Sequence, residues 1–357
     1  MHAVGAGQGA REACTAADVL PRGRFLTEGV DPSCVGMDDL ISPRLIPLPG
    51  GLRMQALEAG PVDGPLVLLL HGFPESSESW RDVLPGLAEA GFRAIAPDLR
   101  GYGGTDRPED GYDLDTLAND VVELAHYLQP GRPVHLVGHD WGGLIAYHVA
   151  AMHPEVVDRL AVVNAPHPAV MARGIWNPAQ LVSSWYIFFF QLPFLPERLI
   201  SARGGALVPR LMRRAMVDPS RVPPGRLAEY EANFSTLEGA RTALAYYRQA
   251  FRRTVSLRGM RETRNYPRIR APFLLIWGEQ DAALRKNLTQ GLERYFEQRP
   301  TVHYLPEEGH FVPLEAPEKV AALLLEHFTA ERPEAEDWSE SPGTAREGYE
   351  ESPPPPA

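Results

Sequence analysis

Cysteine is nearly absent from this sequence. Cys14 and Cys34 are its only two, and both precede the first patterned segment, so no disulfide framework is implied. Long apolar runs are missing as well. The most apolar stretch, Trp185-Tyr186-Ile187-Phe188-Phe189-Phe190, is far too short to cross a bilayer. Residues 1–40 hold no apolar h-region, so neither a signal peptide nor a membrane anchor is expected, and the expected location is cytoplasmic. No basic run is interleaved with aromatic residues, and a net charge of −11 speaks against a nucleic-acid partner. Internal repeats are also missing. The sequence leaves the oligomeric state open.

What is present is a globular composition, 44% apolar over 357 residues, enough for one large α/β domain with a substantial core. Residues 1–43 show no periodicity and are expected to be a flexible lead-in. Residues 331–357 are acidic, proline-rich and poor in aliphatic side chains, the composition of a disordered tail. Between them, strand-like runs at 44–48 and 52–57 flank Pro49-Gly50-Gly51, a hairpin signal. Leu66–Leu70 is an apolar run suited to a strand buried on both faces.

A helix is expected over 80–90, a strand over 92–97, and a helix over 114–128, where apolar residues recur at helical spacing. Further strands are expected from 134 up to the elbow described below, and at 160–163, 273–277 and 301–305. Helices should follow the elbow described below, span 284–296, and close the chain at 314–328. Strands alternating with helices indicate an α/β fold, a mostly parallel sheet with helices on both faces. That alternation breaks between 166 and 256, a helical, arginine-rich stretch with several aromatic residues. Inserted into a core of 44–165 and 257–330, it is expected to form a helical cap over the strands' C-terminal ends, where such sheets bind ligands.

The chemistry centres on Gly138-His139-Asp140-Trp141-Gly142, where an apolar run stops and a helical pattern begins. This is the layout of a nucleophile elbow, a tight strand-to-helix turn that exposes one side chain. An aspartate in such a turn could simply cap the helix. As a nucleophile it narrows the reaction: a serine displacing a group from saturated carbon leaves an inert ether, whereas aspartate leaves an ester that water can open. Without a serine at the elbow a carboxylesterase is disfavoured.

In such folds the chain order is nucleophile, acid, histidine. Asp281, beyond the 273–277 strand, suits the acid, with Glu279 a weaker competitor. His310, in Gly309-His310 after the last strand, suits the base. Asn164 is not acidic and does not compete. His310 should deprotonate the water that opens the ester, with Asp281 fixing its tautomer. The oxyanion of that step needs backbone N–H donors, for which Phe73 and Trp141 are placed. His71 and His139 read as structural. No metal or cofactor is called for.

Taken together, His71-Gly72-Phe73-Pro74-Glu75, Asp98-Leu99-Arg100-Gly101-Tyr102-Gly103, Gly138-His139-Asp140-Trp141-Gly142-Gly143, Trp277-Gly278-Glu279-Gln280-Asp281 and Gly309-His310 resemble the epoxide hydrolases of the α/β-hydrolase fold. The match covers roughly residues 44–328. The resemblance implies a small apolar epoxide and water as substrates, and two cap tyrosines that protonate the epoxide oxygen. By local similarity these are Tyr186 and Tyr247, with Tyr246 as the substitute if the register is off by one. Two other readings stand beside it. Haloalkane dehalogenases share the elbow aspartate and following tryptophan, and Trp185 or Trp176 could then supply a second halide donor. A non-catalytic ligand-binding protein of the same fold is the other.

Overall fold

The computed structural model describes residues 40–331, apart from 175, 176 and 224. The expectations for the lead-in before residue 40, for the tail after 331, for both cysteines and for Trp176 lie outside the described residues.

Among the described residues eight strands form one sheet: β1 (Ile41–Pro47), β2 (Arg53–Ala59), β3 (Leu66–Leu70), β4 (Arg93–Pro97), β5 (Val134–His139), β6 (Val157–Val163), β7 (Phe273–Gly278) and β8 (Thr301–Leu305). Their order is β1-β2-β4-β3-β5-β6-β7-β8. β1 pairs antiparallel with β2, and β2 with β4, and every later pairing is parallel. The β1–β2 hairpin turns through Gly51 at φ 91°.

Side chains alternate across the sheet, and the sequence supplies an apolar residue to both faces. Leu66, Leu68 and Leu70 of β3 join one buried cluster, while Val67 and Leu69 join the other. Each such side chain, fully buried, contributes about 1.5–3 kcal/mol. The first cluster is covered by α2 (Leu114–Leu128) and α3 (Trp141–Met152), and the second by α1 (Leu84–Glu89) and α13 (Pro317–Thr329). α2 begins where its sequence says it should, since the Asp113 side chain accepts the Thr116 N–H at its N-terminus.

Between β6 and β7 the chain leaves the sheet for a helical cap: α4 (Pro168–Gly174), α5 (Pro178–Ser183), α6 (Trp185–Phe189), α7 (Leu195–Ser201), α8 (Leu207–Ala215), α9 (Glu229–Phe234), α10 (Leu237–Thr254) and α11 (Leu257–Arg264). The helical run thus continues past residue 256. The cap is seated on the loop after β4 by α10, where Thr242 Oγ1 donates to the Gly101 carbonyl at 2.9 Å and the Tyr246 hydroxyl to that of Arg100 at 2.7 Å. Arg253 reaches Asp115 on α2 at 2.7 Å. Among the described residues no helix is long and apolar enough to cross a membrane.

Three helices differ from expectation, each at a residue that interrupts a helix. The expected helix over 80–90 splits into a 3₁₀ turn at Ser77–Trp80 and α1. Pro85 lacks the N–H a continuous helix would need and is tolerated only in a first turn. The stretch 284–296 is not an α-helix but two 3₁₀ turns, Lys286–Thr289 and Glu293–Tyr295. Between them Gly291 takes φ +70°, which no right-handed helix accommodates. The closing helix starts afresh at Pro317, after a single turn (α12, Val312–Glu315).

Candidate active site

The parallel strands bring the site together at their C-terminal ends. β3 and β5 are neighbours although β4 lies between them in sequence, and the loops leaving this pair diverge there to form a crevice. β5 ends at His139, and Asp140 then takes φ 49° and ψ −115° before α3 begins. A non-glycine residue at positive φ costs of order 1–3 kcal/mol, and surrounding contacts must enforce it. The tightness is visible at the flanking glycines. A Cβ on Gly138 would stand 2.3 Å from the Gly142 carbonyl oxygen, and one on Gly142 would stand 2.2 Å from that of Leu70. No other residue fits either position.

Asp140 points back over the end of β3. The Phe73 N–H donates to its Oδ1 at 2.8 Å. Its Oδ2 lies 3.7 Å from His310 Nε2, an ion-pair separation longer than a hydrogen bond. On the far side of the imidazole, His310 Nδ1 meets Asp281 Oδ2 at 2.7 Å. Asp281 Oδ1 in turn accepts the Ala283 and Leu284 N–H groups, both at 2.8 Å. The structure therefore brings Asp140, His310, Asp281 and the Phe73 and Trp141 amides to one place. Glu279 is turned away and pairs with Lys286.

Burial sets the electrostatics. It pushes the Asp140 carboxyl above its usual range, against the pull of His310, His139 and the Phe73 and Trp141 N–H groups. Asp281 is held below its usual range despite burial, by the charge and hydrogen bond of His310 and the donors from Leu284 and Asn164. Burial alone would depress His310, but Asp281 first, then Asp140 and Glu75, raise it to about 9. At neutral pH the resting site thus holds an imidazolium against the Asp281 carboxylate.

Three buried residues to which the sequence assigned no catalytic part complete the frame. Asn164, at φ 40°, donates from Nδ2 to Asp281 Oδ2 at 2.8 Å, and its Oδ1 accepts the Gly278 N–H at 2.8 Å. Set aside because it is not acidic, it holds the residue that is. Glu75 and His139 form the other brace. His139 Nδ1 meets Glu75 Oε2 at 2.7 Å, and Nε2 meets the His310 carbonyl at 2.8 Å. Both ring nitrogens face acceptors. Glu75 stays below its usual range although buried, chiefly because of His139. His71 accepts the Leu99 N–H at Nε2, 3.0 Å, and faces the Gly72 carbonyl.

The cap closes over Asp140. A cavity of about 90 Å³ is walled by Asp140, Trp141, Leu144, Met171 and Phe251, with Tyr186 and Tyr247 above the carboxylate. The two phenol rings lie 5.9 Å apart, nearly perpendicular. Burial, and the Asp140 charge after it, raise both phenols far above their usual range, so they remain protonated. Tyr247 also shares a side-chain hydrogen bond with Trp141. Tyr246, one residue earlier, spends its hydroxyl on the Arg100 carbonyl and does not line this cavity. Trp185 is 63% exposed and not part of the cavity wall. A second cavity of about 140 Å³ shares Trp141, Leu144, Met171, Ala250 and Thr254 with the first and leads to Arg253 and Glu262 at the cap–core seam.

Comparison with known proteins agrees with this fold. A family profile described as the alpha/beta hydrolase fold matches residues 65–317. The AB hydrolase superfamily protein YfhM of Bacillus subtilis is 34% identical over 78% of this chain and 95% of its own length. Epoxide hydrolase 3 of Xenopus tropicalis is 34% identical over 77% of this chain and 74% of its own. Among solved structures, a Bacillus megaterium epoxide hydrolase in complex with an inhibitor superposes with a TM-score of 0.72 at 26% identity, covering 80% of this chain and 100% of that one. An aspartate on a strained turn after the fifth strand, a histidine–aspartate pair beside it and a helical cap between β6 and β7 are thus carried on a shared scaffold: the chain belongs to the α/β-hydrolase fold family.

Proposed function

We propose that the protein is an epoxide hydrolase that converts a small apolar epoxide and water to a vicinal diol. The observation carrying this reading is that one cavity holds the Asp140 carboxylate and the Tyr186 and Tyr247 hydroxyls, and little else that is polar. Asp140 attacks a ring carbon, the C–O bond of the epoxide breaks, and an alkyl ester forms. The departing oxygen takes a proton from a cap phenol. A phenol suits this task because an alkoxide is a far stronger base than a phenolate, even a phenolate destabilised by burial.

The charge on His310 explains why the steps occur in order. While Asp140 is a carboxylate, it helps hold the imidazole protonated. Esterification removes that negative charge, His310 loses one of its stabilising partners, and its proton passes to the phenolate left by ring opening, which restores the phenol and leaves a neutral imidazole. It then takes a proton from water, whose oxygen attacks the ester carbonyl. The resulting oxyanion forms at the carboxyl oxygen that already accepts the Phe73 N–H, with the Trp141 N–H as its second donor. Collapse releases the diol and restores Asp140, and Asp281 stabilises the imidazolium throughout.

A dehalogenase would need two donors for its halide. Here the Trp141 side chain is engaged by Tyr247 and Trp185 faces outward, which favours the epoxide reading. The intact triad geometry likewise favours an enzyme over a non-catalytic binder. The test is to offer aryl and alkyl epoxides beside bromoalkanes of matched size. Diol without bromide release supports the proposal, bromide release without diol replaces it with dehalogenation, and neither product leaves a binding protein.

A further inference from the structure

The outer face of the cap is unlike the rest of the molecule. Residues 166–256 hold twelve arginines, no lysine and five carboxylates, a net charge of +7 on a chain whose total is −11. Arg198, Arg203, Arg210, Arg213 and Arg214 are all exposed. Among the described residues none of these five has a carboxylate within ion-pair distance. Large apolar side chains are exposed on the same run of chain: Leu192, Phe194 at 72%, Leu195 and Leu199 on or just before the segment that carries Arg198, and Val182 at 71% and Trp185 on the two helices before it. α7 and α8 pack against each other, so the two sets belong to neighbouring segments.

Phe194 adds an independent sign. It sits at φ 62° and ψ −33°, a conformation that non-glycine residues avoid. Backbone strain combined with an unburied phenyl ring is unfavourable twice over in the free protein. A surface that takes up the ring would offset both.

We propose that this face docks on an anionic phospholipid surface. Guanidinium groups pair with phosphate through two parallel N–H bonds, and tryptophan and phenylalanine insert at the headgroup boundary. A second copy of the chain fits less well, because a two-fold contact sets each patch against itself and faces these arginines with arginines. The geometry also links docking to the site. α6 presents Trp185 outward while its neighbours Tyr186 and Ile187 wall the catalytic cavity, so one short helix separates the docked face from the reacting atoms. Use of that route by a lipid-dissolved epoxide rests on the function proposed above, but docking itself does not.

Flotation of the full chain with vesicles, without substrate, tests it. The protein is expected to float with phosphatidylcholine containing phosphatidylglycerol and to stay below with phosphatidylcholine alone. Each arginine near such a surface strengthens binding about fivefold, so Arg210→Gln/Arg213→Gln/Arg214→Gln should weaken flotation about a hundredfold. Val182→Ser/Phe194→Ser should weaken it as well. Both variants change exposed side chains and should keep the parent melting temperature and the parent rate on a water-soluble epoxide. A parent protein that never floats with anionic vesicles overturns the proposal, as do variants that float like the parent. A dimer in light scattering that Val182→Ser/Phe194→Ser splits, with no vesicle binding, assigns the face to a second copy instead. A failure of docking would leave hydrolysis in solution unaffected.

Discussion

The floor and the roof of the cavity are built on opposite principles. In the floor, charged side chains are fixed by many hydrogen bonds. Asp281 alone accepts from Ala283, Leu284 and Asn164 besides meeting His310. In the roof, two uncharged phenols are held mainly by the edges of other rings, with Phe73, Phe190 and Trp141 around Tyr247. On the proposed mechanism the floor forms and hydrolyses the ester, and the roof acts only on the oxygen that leaves. A variant of the floor should therefore stop turnover at a defined covalent stage, whereas a variant of the roof should slow the first stage alone.

The largest effect expected is from Asp140→Ala. With no nucleophile, single-turnover diol formation should fall on the order of 10⁴-fold or more, and no substrate adduct should appear in the intact-protein mass. His310→Gln should separate the half-reactions. Alkylation proceeds and hydrolysis slows by about 10²–10⁴-fold, so the mass rises by one substrate and stays raised. An unmodified mass with excess epoxide would put His310 in the first step and dissolve the division of labour.

Tyr186→Phe/Tyr247→Phe keeps both rings and deletes both hydroxyls. Burst kinetics should show alkylation slowed by about 10²–10⁴-fold, with ester hydrolysis little changed. Alkylation at the parent rate would make these tyrosines packing residues. A smaller effect is expected at Asn164→Ala, which strips one partner from buried Asp281 and one from the Gly278 N–H. Leaving buried groups unpaired costs about 1–3 kcal/mol each, to be read as a lower urea midpoint.

The smallest effect is on stability against pH. The His310 pKa in the folded chain, about 9, lies above the ordinary histidine value of 6.5. Its ion pairs therefore stabilise the fold fully below about pH 6.5, and that contribution is lost as pH rises through about 9. His310→Gln should flatten this slope in urea titrations, while the double tyrosine variant should keep it.

The same contrast governs what could be read from the sequence. The floor is written in local signals: apolar runs that stop at Gly-x-Asp-x-Gly, at Trp277–Asp281 and at Gly309-His310, each placing a side chain at a strand end. The roof is not. Tyr186 and Tyr247 sit in helices whose apolar pattern reads more readily as core, and only resemblance to a family singled them out. That Tyr247 rather than Tyr246 faces Asp140 depends on how α10 is rotated by its contacts with Arg100 and Gly101. The part played by Asn164 was illegible for another reason. Its partner Asp281 is 117 residues away in sequence, and an amide that orients a carboxylate carries no motif. The expected helix over 284–296 failed at Gly291, where one residue's backbone outweighed its neighbours' periodicity.

The central claim is that Asp140 itself becomes the ester, and one turnover in ¹⁸O-water addresses it directly. Enzyme in excess over epoxide is quenched after a single cycle, and both the diol and the peptide containing Asp140 are weighed. Solvent oxygen is expected in the Asp140 carboxylate and an unlabelled oxygen, taken from the enzyme, in the diol. Label in the diol after that first cycle, with Asp140 unlabelled, would mean that water attacks the epoxide directly and that the aspartate is not the nucleophile.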